Sequence, residues 1–250
     1  MGRGEVAADL RRMRARRFLA LLVGVLSVVA FVGAAKTATA GRACLAGARD
    51  GGYSYAGHQA AFRGHGVRAT ITLTRAPAVD AGHVAGWVGV GGRGQGASGG
   101  DAWIQAGIAS LRTLGTVLYV EIKREGHDPE LVLVDDLVVM GRAYRIAVVE
   151  VVGRAGAWQV RVDGEPVTGP IGMQGSSGRW APIVTAESWN AGTPTCNAFG
   201  FRFDDVSVSR GGGSWRPFVS GHRFLDGTHT LRELTGSRVQ ASTFVAASAE

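Results

Sequence analysis

Two polar residues stand inside segments that are otherwise apolar and strand-like. Gln105 lies in Ala102-Trp103-Ile104-Gln105-Ala106-Gly107-Ile108, and Glu187 in Pro182-Ile183-Val184-Thr185-Ala186-Glu187-Ser188-Trp189. Successive side chains of an extended chain point to opposite faces. Trp103, Gln105 and Gly107 therefore share one face, as do Ile183, Thr185, Glu187 and Trp189. A carboxylate can serve as general base and then as general acid, and an amide N–H can stabilise an oxygen that gains charge. If both faces belong to one concave sheet, the two groups meet beside Trp87 and Trp103. Taken singly, a strand glutamate is more often a solvated carboxylate and a glutamine a surface amide.

Other chemical patterns are weaker. Gly89-Val90-Gly91-Gly92-Arg93-Gly94 matches GxGxxG. A dinucleotide site needs a helix to open there, so that its N-terminus meets the pyrophosphate. The chain continues Gln95-Gly96-Ala97-Ser98-Gly99-Gly100, a poor helix start, and reads as a flexible loop. The 6 histidines are scattered, so a Ser-His-Asp triad would have to be assembled by the fold. Asp135-Asp136 and Asp204-Asp205 fit turns or strand ends, with a calcium role as the alternative. Zinc needs Cys or His at ligand spacing, and no such cluster is present. Neither metal nor cofactor is expected.

The elements that must position such residues are β-strands. Val67 to Thr74, Val84 to Val90, Ala102 to Ile108 and Thr116 to Lys123 have strand character. Arg142 to Val152 and Ala157 to Val162 form a hairpin around Gly153-Arg154-Ala155-Gly156. Asp163-Gly164 is a two-residue turn signal. Trp180 to Trp189 and Ala198 to Val208 complete the set. Phe199, Phe201 and Phe203 alternate, then the phase breaks at Asp204-Asp205 as at a bulge. Residues 41–66 are glycine-rich and irregular. Many strands at short spacing, with turn signals between them, predict a sandwich or barrel.

The chain has 250 residues, enough for one large β domain or two small ones, and a net charge of +7. Residues 1–17 carry Arg3, Arg11, Arg12, Arg14, Arg16 and Arg17 against Glu5 and Asp9, and Lys36 adds one charge more. The body is thus close to neutral and its arginines are scattered, which argues against nucleic acid, since phosphate affinity needs a concentrated basic surface. The same arginines precede the apolar run Phe18 to Ala35, followed by Lys36-Thr37-Ala38-Thr39-Ala40 with an Ala38-x-Ala40 ending. Residues 1–40 read as a signal peptide or an N-terminal membrane anchor helix. The positive cluster stays cytoplasmic and the rest is exported, to the extracellular space or the outer face of the membrane. Cys44 and Cys196 fall in the exported part, where an even count suggests a disulfide; two unrelated thiols are the alternative.

Trp87-Val88-Gly89-Val90, Ile104-Gln105-Ala106-Gly107 and Ala186-Glu187-Ser188-Trp189 stand in the order, and at a spacing, that resembles the glutamic endopeptidases, or eqolisins. The resemblance covers roughly residues 67–209. It departs from the family at Gly91, where an acidic residue is usual, and at Ser188, which intrudes before Trp189. A second glutamate that often follows is missing. The resemblance implies an all-β, antiparallel two-sheet sandwich of the concanavalin A-like jelly-roll kind over residues 41–210. After Arg210, Gly211-Gly212-Gly213 reads as a linker, and 211–250 as a C-terminal extension, either an appended strand pair or a partly disordered tail. The resemblance also implies Gln105 and Glu187 as catalytic dyad acting on a water, with Trp87, Trp103 and Glu121 as substrate-binding residues, a polypeptide substrate and a monomer. The alternative is a non-catalytic concanavalin A-like module binding carbohydrate or peptide. A glycosidase needs two opposed carboxylates, and no ExDxE strand is present.

Overall fold

Extended stretches that turn successive side chains to two faces run through most of the chain and are strands; Gly66–Ala78 alternates in burial over its first half, whereas His83–Gly92 and Ala102–Leu111 are buried on both faces. The computed structural model describes residues 52–227, 229–237 and 240–249. The expected leader, residues 1–40, and Cys44 lie outside the described residues. The strands are β1 (Tyr53–Ala60), β2 (Gly66–Ala78), β3 (His83–Gly92), β4 (Ala102–Leu111), β5 (Gly115–Lys123), β6 (Glu130–Asp135), β7 (Ala143–Glu150) and β8 (Ala157–Val162). They continue with β9 (Glu165–Pro166), β10 (Ile171–Gly172), β11 (Pro182–Trp189), β12 (Ala198–Ser209), β13 (Trp215–Pro217), β14 (Ser220–Leu225), β15 (His229–Ser237) and β16 (Gln240–Ser248).

They form two antiparallel sheets, the sandwich expected from the sequence. One has the order β14-β1-β11-β3-β4-β5-β6. The other runs β10-β8-β7-β2-β12-β16-β15, with β13 added to β12 and β9 to β8. Between the sheets lies an apolar core that includes Ile71, Ile104, Ile108, Val120, Phe199, Phe201 and Phe203. The sheets approach most closely at Gly86, where a Cβ would lie 2.6 Å from the Phe201 ring. Core contacts of this kind fix which face of each strand turns outward.

Several local expectations hold. Asp163 and Gly164 both have positive φ, 52° and 93°, as a two-residue turn between β8 and β9 requires. The register of β12 on β2 shifts between Asp204 and Ser207, where the phenylalanine alternation breaks. Three stretches differ. Residues 53–60 are a strand, because Tyr53, Tyr55 and Gly57 alternate with Ser54, Ala56 and His58 behind the glycines that obscured the pattern. Glu130–Asp135 adds an edge strand too short to stand out. The stretch 211–250, set apart as an extension, supplies β14 to one sheet and β13, β15 and β16 to the other.

Candidate active site

Five adjacent strands, β1, β11, β3, β4 and β5, place their outward side chains in rows across one face of the first sheet. One row reads Tyr55, Glu187, Ala85, Ala109 and Val117. The next reads Gly57, Thr185, Trp87, Gly107 and Tyr119. A third reads Ile183, Gly89, Gln105 and Glu121. Large side chains thus alternate with glycine and alanine, and the sheet face carries a groove of about 480 Å³ in which Gly89 is one of the lining positions. Gln105, Glu187, Trp87, Trp103 and Glu121 all line it, together with Tyr53, Tyr55, His83 and Phe224. The groove therefore gathers all five residues expected from the sequence to bind or act on a substrate.

Glu187 is 5 % exposed and Gln105 9 %. Residues diagonal to one another on neighbouring strands lie within reach of long side chains, and every polar contact of the site is such a diagonal. Glu187 faces Ala85 directly, so His83 and Trp87 flank it on β3. The His83 Nε2 lies 2.8 Å from Glu187 Oε1, and the Trp87 indole N–H donates to Oε2 at 3.2 Å. Gln105 faces Glu121 directly, and its amide donates to the hydroxyl of the diagonal Tyr119 at 3.4 Å. The Trp103 indole N–H donates to Glu121 Oε1 at 2.8 Å.

Trp87 connects the two halves. Its N–H reaches Glu187, while its six-membered ring leans over Gly89 toward Gln105. A Cβ at Gly89 would lie 2.9 Å from the Gln105 Cβ and 3.1 Å from Trp87 Cζ3. Glycine at 89 thus leaves room for both the Trp87 ring and the Gln105 side chain. Trp87, expected only to line the groove, also orients Glu187.

The electrostatics are those of a half-dry, negative groove. Burial, followed by the charge of Glu187, pushes the Glu121 carboxyl above its usual range, although the Trp103 hydrogen bond opposes this. Burial and then the charges of Glu187 and Glu121 push the Tyr53 phenol up to about 12. Tyr119 is raised by the same causes, so it stays protonated and neutral beside Gln105. Desolvation and like charge both disfavour the ionised form of such groups.

No protein-family profile matches the sequence, and no curated protein matches it. Solved structures do. Scytalido-glutamic peptidase with a transition state analog inhibitor aligns with a TM-score of 0.50 at 14% identity, over 79% of this chain and 100% of that one. The same peptidase with a peptide based transition state analog aligns with a TM-score of 0.50 at 14% identity, over 79% and 98%. The fold is eqolisin-like. At this identity the likeness concerns the fold, and function rests on the site.

Within this eqolisin-like sheet, His83, Tyr119, Tyr53 and Tyr55 are site residues that the sequence reading did not assign. Tyr119 shares its strand face with Glu121, two residues on. His83 shares a strand face with Trp87, four residues on, but only the pairing of β3 with β11 brings it to Glu187. Its ring is packed edge-on to Tyr53, at 6.1 Å, and against Trp189, at 5.5 Å. Cys196 precedes β12; its expected partner lies outside the described residues.

Proposed function

We propose that this chain is an exported glutamic-type endopeptidase that hydrolyses peptide bonds with Glu187 and Gln105. The observation that carries the reading is the placement of both side chains in one groove, on nearby strands of one sheet, with Trp87 between them. The eqolisin-like fold supports it. A polypeptide in extended form suits an open groove lined by tyrosine and tryptophan.

In this mechanism a water enters between Glu187 and the scissile carbonyl. Glu187 takes a proton from the water as its oxygen bonds to the carbonyl carbon. The second N–H of the Gln105 amide donates to the carbonyl oxygen as negative charge develops there. Protonated Glu187 then gives its proton to the amide nitrogen, the C–N bond breaks, and a carboxylic acid and an amine leave. His83 and Trp87 hold the carboxylate oriented for the first step. Trp103 and Glu121 bind substrate side chains further along the groove. The proposal includes a leader at residues 1–40 and a bond between Cys44 and Cys196. Intact mass with and without reduction checks that bond; two thiols alkylated without reductant exclude it.

One observation favours a second reading, a non-catalytic peptide- or carbohydrate-binding module: both oxygens of Glu187 already have protein partners. Digestion of a denatured protein across pH 2–8 separates the two. The peptidase reading expects cleavage by the wild type and none by Glu187→Gln, with an unchanged melting temperature. Folded wild type that cleaves nothing at any pH leaves the binding module standing.

A further inference from the structure

The arginines that are scattered in the sequence converge on the opposite side of the sandwich. Val67, Ala69 and Ile71 of β2 point into the core, so Arg68 and Thr70 point outward from the second sheet. Arg68, Arg145 and Arg216, from β2, β7 and β13, line one recess of about 350 Å³ together with Trp215, Ser207 and Asp205. We propose that this recess binds a tetrahedral oxyanion, a phosphate or sulfate group.

Three features point to an anion. The first is uncompensated charge: three guanidinium groups share the recess with a single carboxylate. The ion pairs of the described residues engage other arginines: Arg124, Arg142, Arg202 and Arg223. Burial, and then the charge of Arg145, holds the Arg68 guanidinium below its usual range, with Asp205 opposing. Like charges that share one recess favour any anion that enters.

The second is preorganisation. The Arg68 guanidinium lies 4.4 Å from the centroid of the Trp215 ring. Stacking fixes its plane and leaves its N–H edge free to make the paired hydrogen bonds that guanidinium gives to phosphate and sulfate oxygens. The third is the wall. β12 breaks register between Asp204 and Ser207, and Asp205 has φ 53°. A bulge with a non-glycine residue in the left-handed region costs energy, and such features concentrate at binding sites. The recess also has room beyond the ion: at about 30 Å³ per water it holds the oxyanion and part of whatever carries it.

The test titrates the full chain with inorganic phosphate and inorganic sulfate by calorimetry, at ionic strength held constant with chloride. Saturable binding of at least one ion is expected. Arg145→Ala and Arg216→Ala should each weaken it at least tenfold, while Arg161→Ala, outside the recess, should not. Titration with O-phosphoserine and with glucose 6-sulfate then tells a phosphate source from a sulfate source. No saturable heat with either inorganic ion, or equal affinity in the recess variants and wild type, overturns the proposal. Nothing in it depends on peptide hydrolysis in the groove.

Discussion

A carboxylate that accepts from an imidazole on one oxygen and an indole on the other is fixed in rotation, and that is the state of Glu187. Hydrogen bonds to a charged group are worth about 1.5–3 kcal/mol each. We therefore expect His83→Phe, which keeps the ring contacts to Tyr53 and Trp189, to lower peptide turnover by roughly 10–100-fold at unchanged melting temperature. Steady-state kinetics check it; a variant as active as wild type removes His83 from the site. Gln105→Ala should cost about 100–1,000-fold in kcat, the usual effect of losing one donor to a developing oxyanion. Gln105 and Glu187 were legible in the sequence because each is a polar residue on a strand face with apolar neighbours. His83 was not. Its relation to Glu187 runs through the pairing of β3 with β11, where Glu187 stands opposite Ala85, and no local pattern specifies a pairing across that separation.

At the scale of elements, the glycine-rich turn after β3 is tied down. The Glu125 carboxylate accepts from the backbone N–H of Ser98 at 3.0 Å and of Gly100. The Ser98 bond first, then the Gly100 bond, hold the Glu125 carboxyl below its usual range. A lowered carboxyl stabilises the folded loop fully above the unfolded value, about 4.3, and that contribution is lost as pH falls through the lowered folded value. Protection factors in residues 93–101, corrected for the intrinsic pH dependence of amide exchange, should therefore fall on acidification, and Glu125→Gln should show the lower protection already at neutral pH. Equal protection in the variant and wild type counts against the tie. The sequence reading of a flexible loop missed this because the anchoring residue comes from the far end of β5. The same reading placed the break at Asp204-Asp205 correctly, since a bulge shows as a change of phase within one strand. It missed β1, where glycines diluted a two-residue alternation.

For the whole molecule, the sandwich was legible in outline from the spacing of strands and turns, but the role of its last forty residues was not. β15 and β16 form a polar-looking hairpin whose inward residues are few. Yet Phe244 stacks on Phe203 at 4.7 Å, and Phe218 and Phe244 are fully buried. Losing a buried phenylalanine costs about 3–5 kcal/mol, against a total of about 5–15 for a domain. A chain ended at Arg210 should therefore fail to fold, with no cooperative melt by circular dichroism; a cooperative transition near that of the full chain would show the outer strands to be dispensable. The position of β14 has a further consequence, and it concerns time. β1 is the first described strand to be made, and its neighbours in the sheet are β11 and β14, which emerge long after it. Phe224 of β14 is part of the groove wall. At about 5–20 residues per second, the ribosome needs on the order of ten seconds or more between them. Whatever the groove does, a nascent chain cannot do it before β14 has been made and has closed the wall beside β1.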